Sequence, residues 1–387
     1  MLRIRNWLAT LKSIIKYPSI IKRLNKSEAS IFFFFPYYHI GGAERVHLDI
    51  LSAVNHKKPV CFITDLSTNN DLKNQYIKNS TLIELFRWGK KKSFKKHMQK
   101  KIAVKINKTN NAVVFGCNSH FFYDLLPLLK KDVKKIDLIH AFIGNNSFEE
   151  WSIPLISLID KRIVLGPKHV LKLASYYSEK NINEEYLKRV LIIPNKVEIP
   201  TNFSKKSFEN NLTVLFIARD SPEKRIPVFL KVASKCEELG LPFIFTMIGD
   251  FENYRYELTK NVNFIPRIKD KSQLNLHYAK SHLVMLTSSY EGFPMVLLEG
   301  MALGNIPIIT DVGEVSSWVN ESSGTGFIVE NYSDTEHLIS GFVDKLTFIA
   351  NHKELLPEMS MNVINLIKKS FNEESFTKKY RDLLILK

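Results

Sequence analysis

Cysteine is scarce and unpaired in this sequence of 387 residues. The three cysteines, Cys61, Cys117 and Cys236, are scattered, and no Cys-x-x-Cys pair is present. This pattern argues against a disulfide framework or a cysteine zinc site and favours a reducing, cytoplasmic environment. The length favours two domains over one, and a hydrophobic content of 45% is ordinary for a globular protein with a sizeable core.

Long apolar runs are missing as well. Lys12 and Lys16 interrupt the N-terminal apolar stretch, which a secretory signal would tolerate poorly. The apolar run Ile31–Ile40 has about half the length needed to cross a bilayer and fits a buried strand better. We therefore expect neither a signal peptide nor a membrane span.

Acidic residues are nearly absent from two segments in the first third of the chain. Residues 1–29 carry seven basic residues against Glu28 alone, and residues 87–108 carry ten with no acid, which accounts for the whole net charge of +16. In residues 4–16 the apolar and basic side chains fall on opposite helical faces, and Pro18 is expected to end this helix. Such a helix lies on an anionic membrane or packs on the protein's own surface. The second segment has a helical apolar stripe at Phe94, Met98, Ile102 and Ile106.

Predicted strands and helices alternate after residue 30, and the alternation restarts after a polar linker at 196–211. This pattern is typical of mostly parallel sheets covered by helices on both faces. We predict an α/β protein with a basic amphipathic segment (1–29), an N-terminal domain (30–198), a C-terminal domain (199–365) and a final helical segment (366–387) that returns to the N-terminal domain.

Two strand–helix connections carry residue types that suit an anionic ligand. Gly41 and Gly42 precede a predicted helix, where glycines allow close approach and the helix N-terminus offers free N–H groups. Many ordinary connections contain glycine, so this motif is weak by itself. Arg219 and Lys224 follow a strand of the second half, at the end where doubly wound sheets bind ligands, and suit a diphosphate. A solvated charged turn is the alternative.

A third connection contains two glutamates. Glu291 lies in a loop after a strand, and Pro294 suits the first turn of the helix that follows. Glu299 lies within that otherwise apolar helix, where a carboxylate is costly without partners and ribose hydroxyls are suitable ones. A helix glutamate that faces water or an arginine is the alternative. His140, near the carboxyl end of a strand predicted at 136–142, is either a core histidine or a site residue.

The order of these motifs resembles the retaining glycosyltransferases of family 4, the group 1 glycosyl transferases. The resemblance covers most of the chain after residue 30 and is strongest over 214–329. It implies the GT-B fold, in which two Rossmann-like doubly wound domains face each other across a cleft. Glu291 and Glu299 match the family's E-x7-E motif, and the other matching pieces are residues 41–45, 216–219 with 223–224, 247–250, 302–307 and 324–329.

The resemblance also implies roles for the candidate residues. Arg219 and Lys224 would bind the donor diphosphate and stabilise the leaving phosphate, Glu299 would hold the ribose, and Glu291 would lie beside the transferred sugar. Gly42 would approach the phosphates, and His140 would have a catalytic role. The expected catalytic residues are Arg219, Lys224, Glu291 and His140, and the expected nucleotide-sugar site comprises Gly41, Gly42, Arg219, Lys224, Glu291, Gly292, Phe293, Pro294 and Glu299.

The expected reaction moves a hexose-type sugar, with retention, from a nucleotide-diphosphate sugar to a glycan or lipid-linked acceptor in bacterial surface polysaccharide biosynthesis (lipopolysaccharide, O-antigen or capsule). The basic segments would hold the protein at the inner face of the cytoplasmic membrane. The resemblance implies that neither a metal nor another cofactor is needed, and the absence of an Asp-x-Asp motif agrees with this. The chain departs from the family at Lys196 and Pro266, where glycine is common.

Three alternatives remain: a nucleic-acid-binding protein, a nucleotide-sugar epimerase of the same fold, and a catalytically inactive module that binds a sugar nucleotide. Nucleic acid is not the expected partner, because it explains the charge but not the glycine loops or the glutamate pair.

Overall fold

The structure is a computed structural model that describes residues 18–86, 92–142, 147–200 and 206–386. It divides into two units. The first contains Met1–Leu165, Val170–Ile193 and Phe376–Lys387, and the second contains Gly166–His169 and Pro194–Ser375. The helix expected over residues 4–16 lies outside the described residues, as do Arg87 to Lys91 at the start of the second basic segment. Residues 18–26 are helical (α1).

The first unit is built on a parallel sheet of seven strands in the order β3-β2-β1-β4-β5-β6-β7. Its central strands are short, continuous apolar runs buried on both faces, which is the pattern expected where helices cover both sides of a parallel sheet. The strands are β1 (Ile31–Phe35), β2 (Val60–Ile63), β3 (Thr81–Glu84), β4 (Val113–Cys117), β5 (Lys134–Leu138), β6 (Lys161–Val164) and β7 (Val190–Ile192).

Further helices in the described part of the chain connect or cover these strands. They are α2 (Gly42–Ala53), α3 (Lys73–Asn79), α4 (Lys92–Asn107), α5 (His120–Leu125), α6 (Phe148–Ser152) and α7 (Pro167–Glu179). The apolar stripe predicted for α4 packs into the core: Met98, Ile102 and Ile106 are buried, and Phe94 is partly buried against the same cluster. The exposed face of α4 is therefore basic rather than aromatic.

The second unit is built on a parallel sheet of six strands in the order β10-β9-β8-β11-β12-β13. Its strands are β8 (Leu212–Ile217), β9 (Phe243–Gly249), β10 (Val262–Pro266), β11 (Leu283–Leu286), β12 (Ile306–Thr310) and β13 (Phe327–Val329). Its helices are α8 (Ile226–Glu238), α9 (Lys271–Lys280), α10 (Met295–Ala302), α11 (Val315–Trp318), α12 (Thr335–Asn351) and α13 (Leu356–Ser370). The predicted pair of Rossmann-like doubly wound sheets is thus confirmed.

The sequence pattern suggests a long last helix over about residues 355–386, with room for a bend, and the structure divides this stretch into two helices. Helix α13 ends at Ser370, and a separate helix, α14 (Glu373–Leu384), follows. The reason is local: the side chain of Asn372 accepts a hydrogen bond from the backbone N–H of Ser375 at 2.8 Å and so caps a new helix. From Phe376 onward the chain belongs to the first unit. Among the described residues, no helix is both long and apolar enough to cross a membrane.

Candidate active site

The strand order of the second sheet brings the two charged loops together. Strand β8 pairs in parallel with β9 on one side and with β11 on the other, so the order in which successive strands join the sheet reverses between β8 and β11. Loops after the two strands at such a point form the usual ligand crevice of a doubly wound sheet. Here the backbone N–H of Ser289 donates to the carbonyl of Glu223 at 2.8 Å, and the Thr287 hydroxyl donates to the carbonyl of Lys224 at 2.7 Å.

Lys224 and Glu291 form an ion pair between these loops. The Lys224 ammonium donates to Oε1 of Glu291, and the Ser288 hydroxyl donates to the same oxygen at 2.7 Å. Both charged side chains are largely shielded from solvent, with exposures of 16% and 13%. The predicted phosphate-binding cation and the predicted sugar-binding carboxylate therefore share one site and neutralise each other in this structure.

Gly313 holds the backbone of the glutamate loop in place. Its φ of +56° is unfavourable for other residues, and a Cβ there would lie 2.2 Å from the carbonyl oxygens of both Glu291 and Gly292. The next residue, Glu314, donates its backbone N–H to the Gly292 carbonyl at 2.9 Å. Close backbone packing thus fixes the path of the loop that carries Glu291.

Glu299 is buried on α10, with 7% of its surface exposed, so it is not a helix glutamate that faces water. Its Oε2 accepts a hydrogen bond at 3.0 Å from the hydroxyl of Tyr278, a fully buried residue of α9. A buried carboxylate requires such a donor. Sequence reasoning found Glu299 but missed Tyr278, because nothing in the pattern of α9 distinguishes this tyrosine from an ordinary core residue.

The remaining predicted residues of the second unit surround this pair of loops. Arg219 is exposed two residues after β8. Phe293 is buried and stacks on Phe371 with ring centroids 5.2 Å apart. Pro294 immediately precedes α10, and the start of this helix has no side-chain cap among the described residues. Within the described structure, no capping side chain accepts a hydrogen bond from the first backbone N–H groups of α10.

The glycine loop of the first unit follows β1 and starts α2. A Cβ on Gly41 would lie 2.2 Å from Oε2 of Glu44, whose other oxygen lies 3.4 Å from Nε2 of His39. Because this contact is with the end of a flexible side chain and the backbone of Gly41 is extended, the structure does not require glycine at position 41. The predicted close approach to a ligand depends on Gly42, the first residue of α2.

His140 lies two residues beyond β5, which ends at Leu138 rather than continuing to Phe142 as predicted. Its Nε2 lies 3.1 Å from Nε2 of His47, a buried residue of α2 that sequence reasoning did not select. Burial lowers the pKa of His140 to about 4 and lowers the pKa of His47 well below its ordinary value. Both rings are therefore neutral at physiological pH.

The structure thus assembles two groups of predicted residues, each within its own unit. Lys224 pairs with Glu291, and Glu299 lies on the helix that follows the same loop. Gly41, Gly42 and His140 lie at the carboxyl ends of β1 and β5 in the first unit. Among the residues that sequence reasoning missed, Tyr278, Ser288 and His47 each hydrogen-bond a predicted site residue.

Known proteins resemble the chain in both sequence and fold. Residues 198–360 match the family model described as Glycosyl transferases group 1. An uncharacterized glycosyltransferase from Haemophilus influenzae is 28% identical over 222 residues, which is 54% of this chain and 59% of the relative. The chain therefore matches less than two thirds of that relative's length.

Two solved structures resemble this chain in fold over more than residues 198–360, the segment that matches the family model. The Anabaena protein Alr3699/HepE, crystallised in complex with UDP, superposes with a TM-score of 0.72 at 14% identity, covering 92% of this chain and 99% of that one. The apo form of the lipopolysaccharide outer core galactosyltransferase WaaB superposes with a TM-score of 0.66 at 14% identity, covering 91% and 99%. The fold is that of GT-B glycosyltransferases.

Proposed function

We propose that this protein is a retaining glycosyltransferase of bacterial surface polysaccharide biosynthesis. It moves a hexose-type sugar from a nucleotide-diphosphate sugar to a lipid-linked glycan acceptor. The observation that carries the proposal is the Lys224–Glu291 pair at the reversal point of the second sheet. It lies inside the segment that matches group 1 glycosyl transferases. The protein in complex with UDP and the lipopolysaccharide galactosyltransferase, both similar in fold, support a nucleotide-sugar donor and a surface-glycan acceptor.

The ion pair suggests how the donor enters the site. A diphosphate bound near Arg219 offers Lys224 a second anion, which competes with Glu291 for the ammonium group. Glu291 is then free to accept hydrogen bonds from the hydroxyls of the sugar, while Glu299 accepts from the ribose. The first N–H groups of α10 add a further positive field for the diphosphate.

During transfer, negative charge builds on the leaving phosphate oxygen as its bond to the anomeric carbon breaks. Lys224 and Arg219 stabilise this charge once the bound diphosphate has drawn them to its oxygens. With no enzymic nucleophile evident, the acceptor oxygen attacks from the face that the leaving group occupies, and its proton passes to the departing phosphate. The anomeric configuration is retained.

Replacement of Lys224 tests the catalytic assignment. Lys224→Ala should lower sugar transfer by about 10²- to 10³-fold, the loss typical for one group that stabilises transition-state charge. The matched control is Lys231→Ala, which removes an exposed lysine of α8 paired with Glu336 and should leave transfer unchanged. Transfer from a panel of nucleotide sugars would be measured alongside thermal unfolding. Near wild-type turnover in a folded Lys224→Ala variant would exclude the proposed role.

We also propose that the basic outer face of α4 binds anionic lipid, which would place the enzyme beside a lipid-linked acceptor. Lys95 pairs with Asp124 and Lys105 donates to the Ser27 carbonyl, so these two help to hold the fold. Among the described side chains of the segment 87–108, the exposed lysines are Lys96, Lys100, Lys101 and Lys108. Each lysine near an anionic surface contributes about 1 kcal/mol.

Flotation with vesicles tests the membrane proposal. The protein should float with vesicles that contain anionic lipid and should stay behind with neutral ones. Changing Lys96, Lys100, Lys101 and Lys108 to alanine should weaken flotation strongly. The control changes four dispersed exposed lysines, Lys188, Lys231, Lys235 and Lys260, which alters the net charge equally. Equal recovery with neutral and anionic vesicles, or equal loss in both variants, would contradict the proposal.

A further inference from the structure

The His47–His140 contact is a hydrogen bond whose direction the surroundings determine. Both rings are neutral because burial lowers both pKa values. At 3.1 Å between the two Nε2 atoms, one nitrogen must carry the proton and the other must accept it. Each neutral imidazole has a single N–H, so the direction of this bond fixes the tautomer of both rings.

The buried side of His47 shows which ring donates. Its Nδ1 is buried and has no hydrogen-bond partner among the described residues, and the ring stacks on Phe35 with centroids 4.1 Å apart and an interplanar angle of 4°. If Nδ1 carried the proton, a buried N–H would be left unsatisfied, which is costly. Donation from Nε2 leaves only a lone pair at Nδ1. His47 is therefore the donor.

We propose that His47 is a positioning residue that holds His140 in the tautomer with its proton on Nδ1. His140 accepts from His47 at Nε2, so the nitrogen left for a ligand presents an N–H. His140 then acts as a hydrogen-bond donor to an oxygen of the bound substrate and not as a base at that nitrogen. This role for His140 rests on the proposed function, whereas the tautomer itself does not.

The same two rings also belong to a group that has the donor atoms of a metal site. The ligand atoms of His47, Cys117 and His140 all lie within 4.8 Å of one another. A histidine that binds a metal normally donates its other N–H to a carboxylate, carbonyl or water, and Nδ1 of His47 has no such partner in the described structure. Burial also raises the pKa of the Cys117 thiol well above its ordinary value and so opposes the thiolate that a metal requires. Both observations favour the hydrogen bond.

The tautomer can be measured directly by ¹⁵N NMR of the labelled imidazole rings, with the His140 signals assigned by their absence in His140→Gln. Wild-type His140 should have its proton on Nδ1. His47→Phe keeps a ring against Phe35 but removes the donor, and His140 should then shift towards the other tautomer. His47→Gln, which restores an N–H donor, should shift it back, and Cys117→Ala should have no effect.

Sugar transfer gives the second readout. In His47→Phe the transfer rate should fall about tenfold through kcat, as expected for one lost hydrogen bond, and His47→Gln should recover part of it. A wild-type His140 with its proton on Nε2, an unchanged tautomer in His47→Phe, or one equivalent of bound zinc that Cys117→Ala abolishes would each overturn the proposal. If the tautomer shifts as expected but the wild type transfers no sugar, the positioning contact stands and the proposed function fails.

Discussion

At the scale of single residues, the second unit places a carboxylate in its core and provides a partner for it. Glu299 is surrounded by buried apolar residues of α10, and the Tyr278 hydroxyl donates to it from α9. In the proposed site this contact orients the carboxylate for the ribose before the donor arrives. Under the proposed function, we therefore expect Tyr278 to contribute to donor affinity through Glu299.

Tyr278→Phe should raise the Kd for a nucleoside diphosphate about fivefold, because one hydrogen bond to a carboxylate contributes on the order of 1 kcal/mol. The value of kcat should change little. Titration calorimetry measures the affinity, and Tyr177→Phe is the matched control, since it removes a buried tyrosine hydroxyl that accepts from Arg162 in the first unit. An unchanged Kd in Tyr278→Phe would show that Glu299 is oriented by other contacts.

Sequence reasoning selected candidate residues that the structure brings together, but it did not identify their hydrogen-bond partners. Glu299 was recognisable because a carboxylate in an apolar helix is anomalous. Lys224 and Glu291 were each selected, but their pairing across 67 positions depends on strand order, which spacing along the chain does not encode. The sequence did not single out His47 and Tyr278, because a histidine or tyrosine on a buried helix face has the pattern of an ordinary core residue.

At the scale of secondary-structure elements, prediction succeeded where apolar runs are long and bounded by polar residues. The apolar runs at 243–249, 262–266, 283–286 and 306–310 predict strands, and these are the observed limits of β9, β10, β11 and β12. Strands β3 and β7 were missed because they are short edge strands, and β7 is only partly buried. Strand β5 was predicted too far along the chain, because the apolar residues after Leu138 continue its pattern without forming strand.

Helix α9 carries Tyr278, so we expect the N-terminal cap of this helix to affect the candidate site as well as stability. Asp270 caps it by accepting from the backbone N–H groups of Ser272 and Gln273 at 2.7 and 3.0 Å. Asp270→Ala should lower the free energy of unfolding by about 1 kcal/mol, the usual cost of a lost N-cap, and should also weaken donor binding through movement of Tyr278.

Asp334→Ala is the control for this variant. Asp334 caps α12 by accepting from the N–H of His337 at 2.8 Å, and α12 carries no candidate site residue. Chemical denaturation should show similar losses of stability for the two variants, whereas only Asp270→Ala should raise the Kd for a nucleoside diphosphate. Equal affinities in both variants would mean that fraying of α9 does not reach Tyr278.

At the scale of the whole molecule, the last helix belongs to the unit in which the chain begins. Tyr380 of α14 is buried against Phe115 of β4, with ring centroids 6.2 Å apart. Arg381 donates to the carbonyl of Ala53 at 2.8 Å, and Lys134 donates to the carbonyl of Leu383 at 2.7 Å. The first unit therefore cannot complete its core until the end of the chain is in place.

Because the core of the first unit includes α14, a substitution at a buried residue of this helix should lower the stability of the first unit. Tyr380→Ala should destabilise the first unit by about 3–5 kcal/mol, the usual cost of truncating a large buried aromatic side chain. Hydrogen exchange should accelerate in β4 and β5 and stay unchanged in β9 and β12, because exchange reports the stability of each cooperative unit. Phe342→Ala, which truncates a fully buried residue of α12 in the second core, should give the reverse pattern. If exchange instead accelerated equally in both sheets of the Tyr380→Ala variant, the two units would unfold as one, and the final helix would stabilise the whole chain rather than the first unit alone.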